Sequence, residues 1–259
     1  GFKPYLLFGV TGSGKTEVYM RLAAHVIEQG RKAIVLVPEI SLISQTERRF
    51  RARFQNRVAV IHSGLSKGER LDQWYRILNG KADVVVGARS CVFAPAVPLG
   101  LIIVDEEHDG SYKQDTGFRY NARDMAVVRA RMEGVPVVLG SATPSVQSYH
   151  NAEQGRFERL MLKSRVNEFA LPKIQAVDLK NYKEFWDSRK LITPELSREI
   201  RQCLDNGHQA LIFLNRRGFA SFPICRDCGQ AVACSNCNVT LTFHKAANQL
   251  RCHLCGLIR

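Results

Sequence analysis

The sequence predicts an α/β protein: a parallel sheet covered by helices on both faces, the start of a second α/β lobe, and a cysteine-rich insertion that binds metal. Three observations predict it. Short β-branched, apolar runs alternate with helical periodicity over roughly the first 155 residues. A glycine-rich phosphate-binding pattern directly follows the first of those runs. Six of the eight cysteines lie between Cys225 and Cys255 as three Cys-x-x-Cys pairs, a spacing that suits metal before disulfides in a chain with no secretory signal in view.

Leu6–Phe8 opens the alternation as a buried strand, and Thr16–Glu28 follows with apolar residues at helical spacing. The pattern repeats with strands at Ala33–Val37, Val58–Ile61, Val84–Val86, Leu101–Val104 and Val137–Leu139, and helices at Ser41–Phe54, Gly68–Asn79 and Ala122–Glu133. Apolar strands alternating with helices argue for parallel pairing with both faces of the sheet covered. Residues 1–155 therefore form the first lobe. Composition then turns polar and charged over Gln154–Lys190, with one apolar strand candidate at Ile174–Leu179. Thr193–Asn206 predicts a helix with Pro194 at its first position, and Ala210–Leu214 predicts another buried strand. Residues 156–222 thus read as a linker and the start of the second lobe, and 223–259 as the cysteine insertion.

Composition narrows the function. Lys and Arg number 37 against 24 Asp and Glu, a formal net charge of +13, and 45% of residues are hydrophobic, a globular rather than a disordered balance. The longest purely apolar runs fall far short of the roughly 18–20 residues a membrane helix needs. No charged segment followed by an apolar one trails Gly1, so neither a membrane nor a secreted protein is expected. The basic excess favours polyanionic partners, with plain solubility as the alternative.

Gly9-Val10-Thr11-Gly12-Ser13-Gly14-Lys15-Thr16 fits the G-x-x-x-x-G-K-[ST] phosphate loop and sits between a strand and a helix, as the mechanism requires. Its glycines let backbone N–H groups wrap a phosphate at a helix N-terminus; Lys15 would reach the β- and γ-phosphates and Thr16 would hold Mg²⁺. ATP is the expected nucleotide. Leu101–Val104 runs into Asp105-Glu106-Glu107-His108, which delivers carboxylates from the end of a buried strand. Asp105 would help to hold Mg²⁺, through water, and Glu106 would orient and deprotonate the attacking water. A plain helix N-cap is the alternative for these acids.

The phosphate loop, Asp105–His108 and then Gly140-Ser141-Ala142-Thr143-Pro144 together resemble the ordered motifs of superfamily 2 helicases. The stretch Asp105 to Asp115, continuing through Gly117-Phe118-Arg119-Tyr120-Asn121-Ala122-Arg123-Asp124, is more specific and resembles the bacterial PriA family of replication-restart helicases. Val37–Leu42, His62–Ser66, Gly87–Ser90 and Phe213–Phe219 match further motifs of that family, and the cysteine block follows as it does there. The resemblance implies two RecA-like lobes and a 3′→5′ DNA helicase in the bacterial cytoplasm, at the nucleoid. Its implied partners are forked and single-stranded DNA, single-stranded DNA-binding protein and primosome proteins. It also implies a core fragment, with the family's N-terminal DNA-binding region before Gly1 and its arginine finger beyond Arg259. Because such an arginine is worth ~10³–10⁵ in rate, the chain alone is expected to bind nucleotide and hydrolyse it slowly.

Beyond Asp105–His108, Tyr112, Phe118 and Tyr120 interleave with Lys113, Arg119 and Arg123. Aromatic faces stack on bases and cations hold phosphates; the resemblance implies a loop that senses single-stranded DNA and reports to the ATP site. Core packing is the alternative for Phe118 and Tyr120. Arg89 is a further DNA-backbone candidate, or a surface salt bridge. Among the cysteines, the pairs Cys234/Cys237 and Cys252/Cys255 are separated by fourteen residues, close to the zinc-ribbon pattern of a closed structural Zn²⁺ site. Cys225 and Cys228 form half of a second site, whose other half the resemblance places beyond Arg259. The pairing of Cys225/Cys228 with Cys234/Cys237 stays open, although room for a hairpin favours the first. On that basis one zinc per chain is expected. His244 and His253 are expected at the surface, with service as substitute metal ligands the alternative, and Cys91 and Cys203 are expected as buried small hydrophobes. Two rival functions remain: another superfamily 2 translocase, against which the cysteine block weighs, and a zinc-ribbon DNA-binding module whose phosphate-loop lobe only switches its affinity.

Overall fold

A strand buried on both faces must be apolar at every position, and that requirement is visible in the first sheet. The computed structural model describes residues 1–38, 40–115, 117–166, 172–178, 192–213, 230–237, 239–244, 247–253 and 255–259, with the side chains of 40–42 left aside. The chain divides into two units, Gly1–Leu171 and Pro172–Arg259.

In the first unit β1 (Pro4–Gly9), α1 (Lys15–Glu28), β2 (Lys32–Leu36), α2 (Ile40–Phe54), β3 (Val58–Ile61), α3 (Lys67–Leu78), β4 (Val84–Gly87) and β5 (Leu99–Asp105) follow one another. A two-stranded hairpin, β6 (Lys113–Gln114) and β7 (Tyr120–Asn121), precedes α4 (Ala122–Glu133), β8 (Val137–Ser141), α5 (Val146–Glu153) and β9 (Glu158–Leu162). Seven strands form one sheet in the order β3-β4-β2-β5-β8-β1-β9, and every pair in it is parallel. Leu6, Ile102, Val104 and Leu139 enter one apolar cluster, while Leu7, Leu101, Ile103 and Val138 enter the other. The period-two alternation along each strand thus feeds two cores at once. Each such side chain removed from water contributes about 1.5–3 kcal/mol, so Ile103→Asp would break the sheet at its centre.

Local signals set the helix ends. Ser66 caps α3 through a reciprocal pair, accepting from the Glu69 N–H while the Glu69 carboxylate accepts from the Ser66 N–H. The Asn121 side chain accepts from the Arg123 N–H at the start of α4, and Gly134 closes that helix at φ 66°. The six strands and four helices expected from periodicity over 1–155 all form, with ends shifted by a few residues at most. Four elements lie outside that reading: the two-residue hairpin strands β6 and β7, and α5 and β9. Helix α5 is short, and β9 pairs only with β1 at the sheet's edge, with Leu160 and Met161 partly exposed; an edge strand has no need of the continuous apolar run that marks a central one.

The second unit has α6 (Pro194–Asp205), capped by the Thr193 side chain with Pro194 in its first turn, and a hairpin of β10 (Thr242–His244) and β11 (Gln249–Arg251). Two expected strands do not form where they can be seen. Ile174–Asp178 is irregular with Ile174 exposed, and residues 210–213 are irregular with Leu211 and Phe213 exposed. Apolar content alone cannot make a strand, because its backbone groups need a neighbour, and no described segment pairs with either run. Leu179 and Leu214 lie outside the described residues.

Candidate active site and metal centre

The phosphate loop is shaped by two glycines. Gly12 and Gly14 hold φ at 81° and 89°, in the left-handed region that costs a glycine little. Gly14 caps α1 without a side-chain hydrogen bond, so the first N–H groups of α1 have no capping side chain there. Lys15 is largely buried; its ammonium donates to the Gly9 carbonyl at 2.8 Å and lies 3.8 Å from Glu106 Oε1. The Ser13 hydroxyl is buried with no hydrogen-bond partner among the described residues. Beside it opens a cavity of about 670 Å³, lined by the loop residues Thr11 to Thr16, by Arg49 and Gln45 of α2, and by Asp105 and Glu106. An unsatisfied hydroxyl, a buried ammonium and a helix N-terminus around one cavity fit a nucleotide polyphosphate.

Strand β5 delivers the carboxylates. Asp105 accepts a hydrogen bond from the Tyr19 hydroxyl at 2.9 Å. Burial raises the Asp105 carboxyl above its ordinary value, and the Tyr19 hydrogen bond and Lys15 oppose that rise. Tyr19 itself is buried one turn along α1 from Lys15, and burial keeps its hydroxyl protonated as a donor. Gly140 makes room for it: a Cβ there would overlap the Tyr19 hydroxyl. Glu106 follows with φ at 44°, a left-handed conformation that a non-glycine residue holds only against strain. His108 connects the turn to the end of β8, with its Nδ1 2.8 Å from Ser141 Oγ and its Nε2 3.4 Å from Thr143 Oγ1. Gly9, Thr11, Gly12, Ser13, Gly14, Lys15, Thr16, Asp105 and Glu106, all expected from sequence, therefore surround one cavity or its rim. Tyr19, Arg49 and Glu107 were not expected. For Tyr19 the signal was present, since its four-residue spacing from Lys15 puts both on one helical face.

The aromatic segment divides. Phe118 is 72% exposed and Arg119 and Lys113 are exposed beside it, while Tyr120 is half-buried against both Phe118 and Phe93. Arg89 reaches the hairpin from beneath, donating to the carbonyls of Ser111 and Lys113. Tyr112 does not join the exposed set. It is buried, and its hydroxyl donates to the Asp105 carbonyl at 2.6 Å, so its ring cannot stack on a base. Arg123 is buried too, bonded to Glu107, Ser145, Gln147 and Asp124, and is no phosphate ligand.

In the second unit the sulfurs of Cys234, Cys237, Cys252 and Cys255 all lie within 4.8 Å of one another, with Cys234–Cys255 at 3.5 Å and Cys237–Cys252 at 3.4 Å. Four thiolates at the usual Zn–S length of about 2.3 Å stand about 3.8 Å apart, so the set fits one tetrahedral zinc. Around it, among the described residues, only Cys234, Leu241 and Cys252 are fully buried. His244 and His253 face each other, Nε2 to Nε2 at 3.2 Å. Cys225 and Cys228 lie outside the described residues. Cys91 is buried, its thiol pushed up to about 12 by that burial, but Cys203 is only half-buried, its thiol donating to the Gln209 carbonyl. On the surface of α6, a helix with no buried residue, that thiol has no core to enter.

A cavity of this make, at the carboxyl ends of β1 and β5 in a parallel sheet, with the Asp-Glu-Glu-His turn wired to Ser141 and Thr143, defines a helicase-type nucleotide-binding lobe. The chain belongs to the DEAD/DEAH box helicase family, whose model matches residues 3–152. Within it the likeness is to replication restart protein PriA: 47% identity to the Bacillus subtilis protein over 98% of this chain, 42% to that of Haemophilus influenzae and 43% to that of Treponema pallidum, each over 99%. Residues 234–259 match the Cys-rich region domain of PriA DNA helicase. The chain spans 31%, 34% and 38% of those three relatives. A solved structure of RecG bound to a three-way DNA junction shares the fold, with a TM-score of 0.50 at 23% identity over 78% of this chain and 25% of that one. Among the described residues no helix is long and apolar enough to cross a membrane.

Proposed function

We propose that this chain is the nucleotide-binding core of a replication-restart helicase that couples ATP hydrolysis to 3′→5′ movement on single-stranded and forked DNA. The observation that carries the reading is the convergence of Lys15, Thr16, Asp105 and Glu106 on one cavity whose acidic turn leads directly into the exposed Phe118 hairpin. Lys15 would neutralise the phosphates, Thr16 and Asp105 would hold Mg²⁺, and Glu106 would orient and deprotonate the attacking water. The ion would supply positive charge to the phosphoryl group as negative charge builds there. Phe118 and Tyr120 would stack on bases while Lys113 and Arg119 hold the backbone; Arg89 would act by bracing the hairpin. Cys225 and Cys228 would contribute to a second zinc site. Single-stranded DNA-binding protein and the primosome are the partners that a replication-restart role in the bacterial cytoplasm requires.

ATPase of the full-length protein against single-stranded, duplex and forked DNA tests this. Turnover should rise with single-stranded and forked DNA. A rate indifferent to DNA would leave a nucleotide-switched binding module in place of a motor.

A further inference from the structure

Glu107 is the carboxylate of the acidic turn that the nucleotide cavity does not use. Its side chain is fully buried. One oxygen accepts from the Ser145 N–H at 2.6 Å; the other accepts from the hydroxyls of Ser145 and Ser148 at 3.0 and 2.7 Å and from Arg123 Nη1 at 3.3 Å. Arg123 spends its remaining donors on Ser145 Oγ, Gln147 Oε1 and Asp124 Oδ1. The pair therefore fastens three segments at one point: the end of β5, the start of α4 just beyond the hairpin strand β7, and the loop that leads from β8 into α5.

Two considerations separate this pair from ordinary core packing. A buried ion pair adds little net stability over well-packed apolar residues, because both charges lose their water. Fully satisfied polar networks do fix geometry. The geometry fixed here adjoins Glu106, whose backbone sits in the strained left-handed region, so a small shift of the Glu107 peptide re-aims the Glu106 side chain. On the other side, Arg123 stands three residues beyond Tyr120, whose ring packs against the exposed Phe118.

We propose that the Glu107–Arg123 pair is the positioning link through which DNA bound on the Phe118 hairpin aligns Glu106 with the nucleotide. The link rests on the hairpin's proposed role as the DNA sensor. Hairpin strand β7 runs into α4 with no intervening residue, and Arg123 carries that movement to the turn that holds the catalytic carboxylates.

The test is ATPase of the full-length protein titrated with single-stranded DNA, for Glu107→Gln, Arg123→Lys and, in parallel, Phe118→Ala. Glu107→Gln keeps the shape of the side chain and removes its charge. It should lower the DNA-stimulated maximum about tenfold, within the usual range of coupling between sites, while the half-stimulating DNA concentration and the DNA-free rate move less than about twofold. Arg123→Lys should fall between wild type and Glu107→Gln. A merely structural role would lower the DNA-free and stimulated rates in proportion, together with the thermal midpoint, and that result overturns the proposal. Should Glu107→Gln fail to fold, Ser148→Ala removes one hydrogen bond from the same carboxylate, and wild-type stimulation in that variant overturns it equally. Loss of stimulation in Phe118→Ala with full stimulation in Glu107→Gln refutes the link alone. Full stimulation in Phe118→Ala refutes the DNA-sensing hairpin and the link with it.

Discussion

In the proposed site, where Asp105 would help to hold Mg²⁺, Asp105 and Tyr19 should set the acid limit. A carboxylate must be ionised to attract Mg²⁺, and burial raises the Asp105 carboxyl while the Tyr19 hydroxyl, donating to it, holds it down. Ionisation is lost as pH falls through that raised value, so the acidic limb of Mg²⁺-dependent nucleotide binding should lie above the ordinary aspartate range of about 3.9. Tyr19→Phe removes the opposing hydrogen bond and should move the limb to still higher pH, as read from nucleotide binding titrated between acid and neutral pH. Gly140 tests the same contact from the other side. In Gly140→Ala the new methyl group overlaps the Tyr19 hydroxyl, an overpacking that should cost about 1–3 kcal/mol in urea denaturation. Adding Tyr19→Phe should recover part of that loss; an additive double variant would show that the two residues do not meet.

Among the elements, α3 offers the simplest measurement. Its capping box joins Ser66 and Glu69, so Ser66→Ala should destabilise the first unit by about 1 kcal/mol, seen as a lower urea midpoint at unchanged slope. How far each element could be read from sequence follows from its place in the sheet. The six strands read as apolar runs are those set within the sheet or packed at its β3 edge, where the residues of each run are buried or partly buried; β9, exposed at four of its five positions, carries Glu158 and Arg159 in place of such a run. The phosphate-loop pattern was legible because Gly12 and Gly14 hold positive φ at a fixed spacing from the Lys15 ammonium. Tyr112 and Arg123 misled because a tract mixing aromatic and basic residues does not reveal which side chains turn inward. For Arg123 a clue existed: with Ala126 and Ala130 it occupies the buried face of α4, and a cation on such a face implies an internal partner.

At the scale of the whole molecule, the second unit depends on metal where the first depends on apolar burial. Among the described residues its ribbon has only Cys234, Leu241 and Cys252 as a fully buried cluster, too few to order a hairpin of three-residue strands without the metal's roughly 10–16 kcal/mol of apparent binding energy. Cys252→Ser should lose one zinc per chain by metal analysis and lose amide protection across 242–251, while Cys225→Ser should leave that ion bound. Retention of the ion in Cys252→Ser would contradict the four-sulfur site. The first unit has a different dependence, on order in time. Strand β1, which leads into the phosphate loop, lies between β8 and β9, with Pro4 opposite Val137 and Tyr5 opposite Glu158. During synthesis β1 must therefore wait, its backbone unpaired, until the chain has been made as far as β8. A nascent chain halted before β8 should therefore fail to retain nucleotide, however complete its phosphate loop, as read by nucleotide binding to a chain stopped at Pro136.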